Sequence, residues 1–191
     1  MEHVKQFYKN KQVLVTGGAG FIGSHIVEAL VEAQAHVTIL DNFSSGSISN
    51  LKSVVGNITV LYSDIRSMHS CLKATENKSV VFHCAAFISV PLSIQDPNYC
   101  YAINIDGTKN ILEASKQNGI ESFVLSSSAA VYGNREGLCN ENDTPNPLSP
   151  YAISKLKNEQ LCSQIAQQSH MNIASLRYFN VYGPRQNPHE H

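Results

Sequence analysis

Thr16-Gly17-Gly18-Ala19-Gly20-Phe21-Ile22-Gly23 is the stretch on which the reading of the fold turns. It follows Gln12–Thr16 (QVLVT), an apolar run that reads as a buried strand. It precedes residues 21–33, where Ile22, Ile26, Ala29, Leu30 and Ala33 recur at helical spacing. In such a strand-to-helix turn Gly17 takes the dihedrals of the tight bend. Gly20 lets backbone approach a pyrophosphate, and Gly23 lets the helix pack closely on the strand. The helix N-terminus then offers free N–H groups and the positive end of a dipole to phosphate. Glycines also mark ordinary turns, so a ligand-free turn is the bland alternative. The strand before and the helix after favour the dinucleotide cradle.

Outward from this turn, short apolar runs alternate with amphipathic stretches. Residues 36–40, 58–63, 79–83, 122–126 and 172–177 read as five further strands, and residues 68–75, 99–116 and 151–168 as helices. In the helix at 99–116, Ile103, Ile111, Leu112 and Ala114 are the inward candidates. Such alternation predicts an α/β fold with a doubly wound parallel sheet, of the Rossmann dinucleotide-binding type, with helices on both faces. Polar loops fall at 42–50 and 134–150, and there is no internal repeat or low-complexity tract.

The composition narrows the function classes. A chain of 191 residues with 42% hydrophobic residues is long enough for one domain with a full core. The formal net charge of -1, without a basic run, points away from nucleic acid and anionic membranes. Five widely spaced cysteines, with no CxxC pair, argue against a disulfide framework or zinc site and for reduced thiols in a cytoplasmic protein. The polar N-terminus lacks the apolar core of a signal peptide.

Asp41 ends the second strand, about 20 residues beyond the turn, where a carboxylate accepts hydrogen bonds from the adenosine ribose and repels a 2′-phosphate. Asn42, Phe43 and Ser44 follow, with no arginine, which favours NAD over NADP. Capping a turn is the plainer role for Asp41. Asp64 and Ile65, ending the third strand, are placed to hold an adenine edge and face, although Asp64 serves equally as a helix N-cap. Tyr151 and Lys155, four apart on a helix, share a face. An ammonium beside a phenol stabilises the phenolate and fits it to act as a base near neutrality. Ser126-Ser127-Ser128 ends the fifth strand, at the ligand side of a parallel sheet, so Ser128 can bind the hydroxyl that Tyr151 deprotonates. Turn chemistry is the alternative for the serines.

Taken together, TGGAGFIGSH, His83-Cys-Ala-Ala86, Asn104-Ile-Asp-Gly-Thr108, SSSAAVYG, Tyr151-Ala-Ile-Ser-Lys155 and Arg177-Tyr-Phe-Asn-Val-Tyr-Gly-Pro-Arg185 occur in one order. In this the chain resembles the extended short-chain dehydrogenase/reductase family, and within it the nucleotide-sugar 4-epimerases, from about Lys11 to Pro188. The resemblance implies a pyrophosphate turn at Gly17, Gly20, Phe21, Ile22 and Gly23. It implies ribose contacts at Asp41, Asn42 and Ser44, adenine contacts at Asp64 and Ile65, and a segment beneath the cofactor at Ala85 and Ala86. Asn104 matches an active-site asparagine and, like Ser126, a cofactor contact. Ser128 and Tyr151 match the catalytic pair that also meets the substrate, and Lys155 the lysine that binds the nicotinamide ribose. Tyr178 matches a nicotinamide neighbour and Asn180 a substrate-diphosphate contact.

Two departures from the family pattern matter. Ala129-Ala130 stands where nucleotide-sugar dehydratases carry Asp-Glu, which argues against dehydration and weakens a decarboxylase reading. Family members also continue past 183–185 into a smaller C-terminal substrate domain, so the expectation is a cofactor and catalytic domain over 1–191 with the substrate domain largely missing. Pro188-His-Glu-His191 reads as a frayed end and not as a metal site. By resemblance the chain is the NAD-binding part of a UDP-hexose or UDP-N-acetylhexosamine 4-epimerase, dimeric through the helices at 99–116 and 151–168. Residues 87–93 and 146–150 look more like the N-acetylhexosamine branch. The alternatives are a nucleotide-sugar reductase or dehydrogenase, and an inactive NAD-binding module.

Overall fold

β-branched strands paired with amphipathic helices give the chain three layers. The computed structural model describes residues 2–187, so the tail Pro188–His191 lies outside the described residues. Six strands, β1 (Gln12–Thr16), β2 (His36–Asp41), β3 (Ile58–Tyr62), β4 (Val80–His83), β5 (Ser122–Ser128) and β6 (Asn172–Tyr178), form one parallel sheet in the order β3-β2-β1-β4-β5-β6. The order reverses between β1 and β4, which opens a crevice at their C-terminal ends. Successive strand residues point to opposite faces. Val13, Val15, Val37 and Ile39 therefore meet Val27 and Leu30 of α2 (Phe21–Glu32) on one side. Leu14, Leu40, Val81, Phe123 and Leu125 face the other way. They pack on Cys71 and Ala74 of α3 (Met68–Thr75), on Ile111 and Leu112, and on Cys162 and Ile165. Burial on both faces is why β1 and β2 read as unbroken apolar runs.

Local chemistry sets the helix boundaries. α1 (Glu2–Tyr8) and α4 (Val90–Gln95) are not anticipated by the apolar pattern, and α5 (Pro97–Tyr101) begins two residues before the helix expected at 99–116. The caps of the last two are nonetheless legible, because Ser89 accepts from Leu92 N and Asp96 from Tyr99 N, each followed by a proline in the first turn. The helix expected at 99–116 is a continuous run that starts at Pro97, passes through a π-helical turn (Ala102–Gly107) and ends with α6 (Thr108–Gln117). α7 spans Pro150–Gln168, capped by Ser149. In α2 the buried residues are Gly23, Ser24, Val27 and Leu30, whereas Ala29 faces solvent. Gly23 accounts for the rotated face, because the helix leans on the strand where no side chain intervenes.

Candidate cofactor and catalytic site

Each glycine of the turn meets a different constraint. Gly17 has φ +67, and a Cβ there would lie 2.6 Å from Ala85 N, so β4's outgoing chain presses directly on the bend. A Cβ on Gly23 would stand 2.1 Å from the Gly17 carbonyl oxygen. A Cβ on Gly20 would meet only that same oxygen, at 3.3 Å. Protein packing therefore demands glycine at 17 and 23 but hardly at 20, where the open side faces the crevice. Gly20 is also the N-cap of α2 in extended geometry, with no side-chain cap, while Ser67, Ser89, Asp96 and Ser149 cap α3, α4, α5 and α7. The first amides of α2, at Phe21, Ile22 and Gly23, are left for an anion.

Asp41 is buried, and its carboxylate accepts from Ala19 N at 2.8 Å and from Phe43 N at 2.8 Å. The plainer role of Asp41, capping a turn, is thus present. A carboxylate has about four acceptor positions, so lone pairs remain for ribose hydroxyls. Asn42 donates to Asp64 Oδ2 at 2.9 Å and accepts from Ser44 N at 3.0 Å, which brings Asp41, Asn42, Ser44 and Asp64 into one rim. Asp64 also takes a forked pair of bonds from Arg66, and these hold its carboxyl down to about 2. Ile65 departs from expectation. Its side chain is buried in the core against Gly107, where a Cβ would sit 2.6 Å away, so it offers no face to an adenine ring.

The catalytic elements converge on the ends of β4 and β5. Tyr151 and Lys155 lie on one face of α7, with Lys155 Nζ 5.7 Å from the Tyr151 ring centroid. Lys155 is buried and donates to Ser126 O at 2.9 Å, which fixes the ammonium beneath the strand end. The Ser126 hydroxyl donates to Cys84 Sγ at 3.3 Å, while burial pushes the half-buried Tyr178 phenol up. Ser128 Oγ accepts from Ala130 N at 3.1 Å, a turn role that leaves its hydroxyl proton free. Ala85 N donates to Thr16 Oγ1 at 3.3 Å, and Ala85 and Ala86 remain part-exposed beside the glycine turn. Asn180 is exposed, beyond the end of β6.

Asn104 takes a different place from the one expected of a cofactor contact. It is 1% exposed, with Oδ1 accepting from Phe87 N at 2.7 Å and Nδ2 donating to Phe87 O at 3.0 Å and Ser154 Oγ at 2.9 Å. The Ser154 hydroxyl in turn donates to Tyr151 O at 2.6 Å. Asn104 thus clasps the loop after β4 and braces the first turn of α7 from inside the protein. The π-helical turn directs this side chain toward the loop.

Three further groups escaped the sequence reading. Glu159, four residues after Lys155, accepts from Ser127 Oγ and from Arg177 in a forked pair, and Arg177 lies over the Tyr132 ring at 4.7 Å. The spacing 151, 155, 159 was the available signal. Ser93 accepts from Tyr151 N at 3.2 Å. His83 is buried between Thr16 Oγ1 at 2.6 Å and Thr108 Oγ1 at 2.9 Å, and burial, with Lys155 nearby, holds it down to about 3. Among the described residues no cluster of three His, Cys, Asp or Glu is arranged to hold a metal, and no helix is long and apolar enough to cross a membrane.

In sequence and in fold the chain is similar to known proteins. The chain is 42% identical over 179 residues to a putative UDP-glucose 4-epimerase of Methanocaldococcus jannaschii, covering 92% of this chain and 58% of that protein. Its fold matches the UDP-N-acetylglucosamine 4-epimerase of Methanobrevibacter ruminantium M1 in complex with UDP-N-acetylmuramic acid, with TM-score 0.90, 40% identity, and 96% of this chain against 60% of that one. It also matches the UDP-glucose 4-epimerase of Thermus thermophilus in complex with NAD, with TM-score 0.87 and 41% identity over 93% of this chain and 58% of that one. The chain therefore spans under two thirds of the length of these relatives. Residues 13–191 match the model of the NAD dependent epimerase/dehydratase family, and the chain belongs to that family.

Proposed function

We propose that this chain is the NAD-binding and catalytic part of a nucleotide-sugar 4-epimerase acting on a UDP-hexose or UDP-N-acetylhexosamine. The observation that carries this is the placement of Tyr151 and a buried Lys155 on one face of α7, at the crevice beside an uncapped glycine turn. Gly20's open side, the free α2 amides and the Asp41 rim fit a dinucleotide without a 2′-phosphate. NAD held by these residues would supply the hydride acceptor and donor for sugar C4. Tyr151 takes the proton from the 4-hydroxyl, Ser128 holds that oxygen, and Lys155 stabilises the phenolate. Asn180 meets the diphosphate, and Tyr178 flanks the nicotinamide. Residues 1–191 form the cofactor domain of a cytoplasmic homodimer joined through the helices at 99–116 and 151–168. Tyr99 and Ile153, exposed on those helices, support that face.

The test is to follow UDP-galactose and UDP-N-acetylglucosamine by NMR with the native gene product. Interconversion without accumulation of NADH is expected, and Tyr151→Phe should abolish it while NAD stays bound. Stoichiometric NADH release instead would make the protein a dehydrogenase, and near-normal turnover by Tyr151→Phe would remove the catalytic assignment.

A further inference from the structure

Arg185 joins three separate parts of the chain around the glycine turn. Its Nη1 donates to Asn50 O at 2.8 Å, and its Nη2 donates to His25 Nδ1 at 2.8 Å and pairs with Glu28. Asn50 donates its side-chain amide to Ala19 O at 2.9 Å, and Ser47 N donates to the same carbonyl at 3.0 Å. Ala19 is the centre of the cradle, and its own amide is held by Asp41. Arg185 therefore stands two links from the backbone that faces the phosphates. The same guanidinium anchors the segment that leaves β6 and carries Asn180.

His25 sets the chemistry of this clasp. Its Nε2 lies 3.0 Å from Pro184 O, and a carbonyl only accepts, so Nε2 carries the proton. Its Nδ1 faces a guanidinium, which only donates, so Nδ1 must be bare. The closed arrangement requires the neutral imidazole.

We infer that Arg185 is a positioning residue that fastens the Asn180 segment to the cofactor cradle. The inference rests on the NAD reading of the turn.

The experiment uses the 191-residue chain, with hydrogen exchange of residues 46–51 and 179–187 and calorimetric titration of NAD. Arg185→Met should exchange both segments about fivefold faster than the wild type and bind NAD about fivefold more weakly. Arg185→Lys should be intermediate, because a point charge keeps Glu28 but does not also reach Asn50 O and His25. If Arg185→Met does not fold, Glu28→Gln should loosen the same two segments. Wild-type protection and NAD affinity in Arg185→Met would overturn the inference. A wild-type chain that binds no NAD would instead remove the cofactor reading, while the exchange data would still judge the clasp.

Discussion

At the scale of single residues, the three glycines separate folding from binding. Gly23→Ala drives a Cβ to 2.1 Å from a backbone oxygen and should cost about 3 kcal/mol or more of stability. Gly20→Ala meets only one atom, at 3.3 Å, in a conformation alanine readily adopts, and should cost less than about 1 kcal/mol. It should still weaken NAD markedly, because the methyl group occupies the phosphate side. Urea unfolding and NAD titration of the two variants check this, and a Gly20→Ala chain with unchanged affinity would break the link between that open side and the pyrophosphate. Asp41 carries a second prediction at this scale. NAD should bind better than NADP by about 1–3 kcal/mol, the range for a single hydrogen bond to a charged group, since both Asp41 oxygens already sit fixed on backbone amides. Calorimetry with the two cofactors decides it. These positions were legible in the sequence because their constraints are local. Asn104 was not, because its partners Phe87 and Ser154 lie 17 and 50 residues away, and only the assembled helices reveal that its amide is spent inside the protein.

At the scale of elements, His83 is the joint between β1, β4 and α6. Thr16 Oγ1, which also accepts from Ala85 N, is hydrogen-bonded to Nδ1, and Thr108 Oγ1 to Nε2. Burial, with the Lys155 charge nearby, keeps the imidazole of the folded protein neutral down to about 3, while the unfolded chain takes up a proton near the ordinary histidine value of 6.5. Below that value the unfolded state binds more protons, so stability falls as pH drops from 6.5 toward 3 and is unaffected by this group above 6.5. Urea midpoints measured across this window should decline, and the slope should lessen by about one proton in His83→Asn. An unchanged slope would mean that His83 titrates freely. The strands were the most legible elements, since each holds a short apolar run; β5 and β6 extend two and one residues beyond their expected ends because Ser127 and Ser128 pair with Arg177 and Tyr178. The helix from Pro97 to Gln117 was legible as helix but not as a helix with a π-turn, because one extra residue in a turn leaves no mark on apolar spacing.

At the scale of the whole molecule, the β6 edge of the sheet is the exposed one that carries large apolar side chains. β3 lies at one edge, and β6 at the other is exposed along most of its length. On β6 and the segment that follows it are the exposed side chains of Leu176, Phe179, Val181 and Tyr182. A monomer rarely leaves so many neighbouring large apolar groups in water without a partner, and an unpaired strand edge invites association. The chain also spans only about 58–60% of the relatives it matches. The groups proposed to bind the cofactor lie between Gly17 and Tyr178 and are brought together, whereas Asn180 alone stands for the diphosphate, on an exposed segment. Epimerisation requires sugar C4 to be held within roughly 3–3.5 Å of the reacting atoms, and loose positioning forfeits much of the rate. Residues 1–191 by themselves should therefore bind NAD, turn over UDP-sugars little or not at all, and self-associate at concentrations where a sealed domain would not. Light scattering checks the association. Incubation with UDP-galactose, UDP-N-acetylglucosamine and UDP-glucuronate, followed by NMR, checks the turnover. Robust conversion of any of the three would mean that a second copy, or the described residues themselves, complete the sugar pocket, and the exposed β6 face would then be the first place to look for the copy that does so.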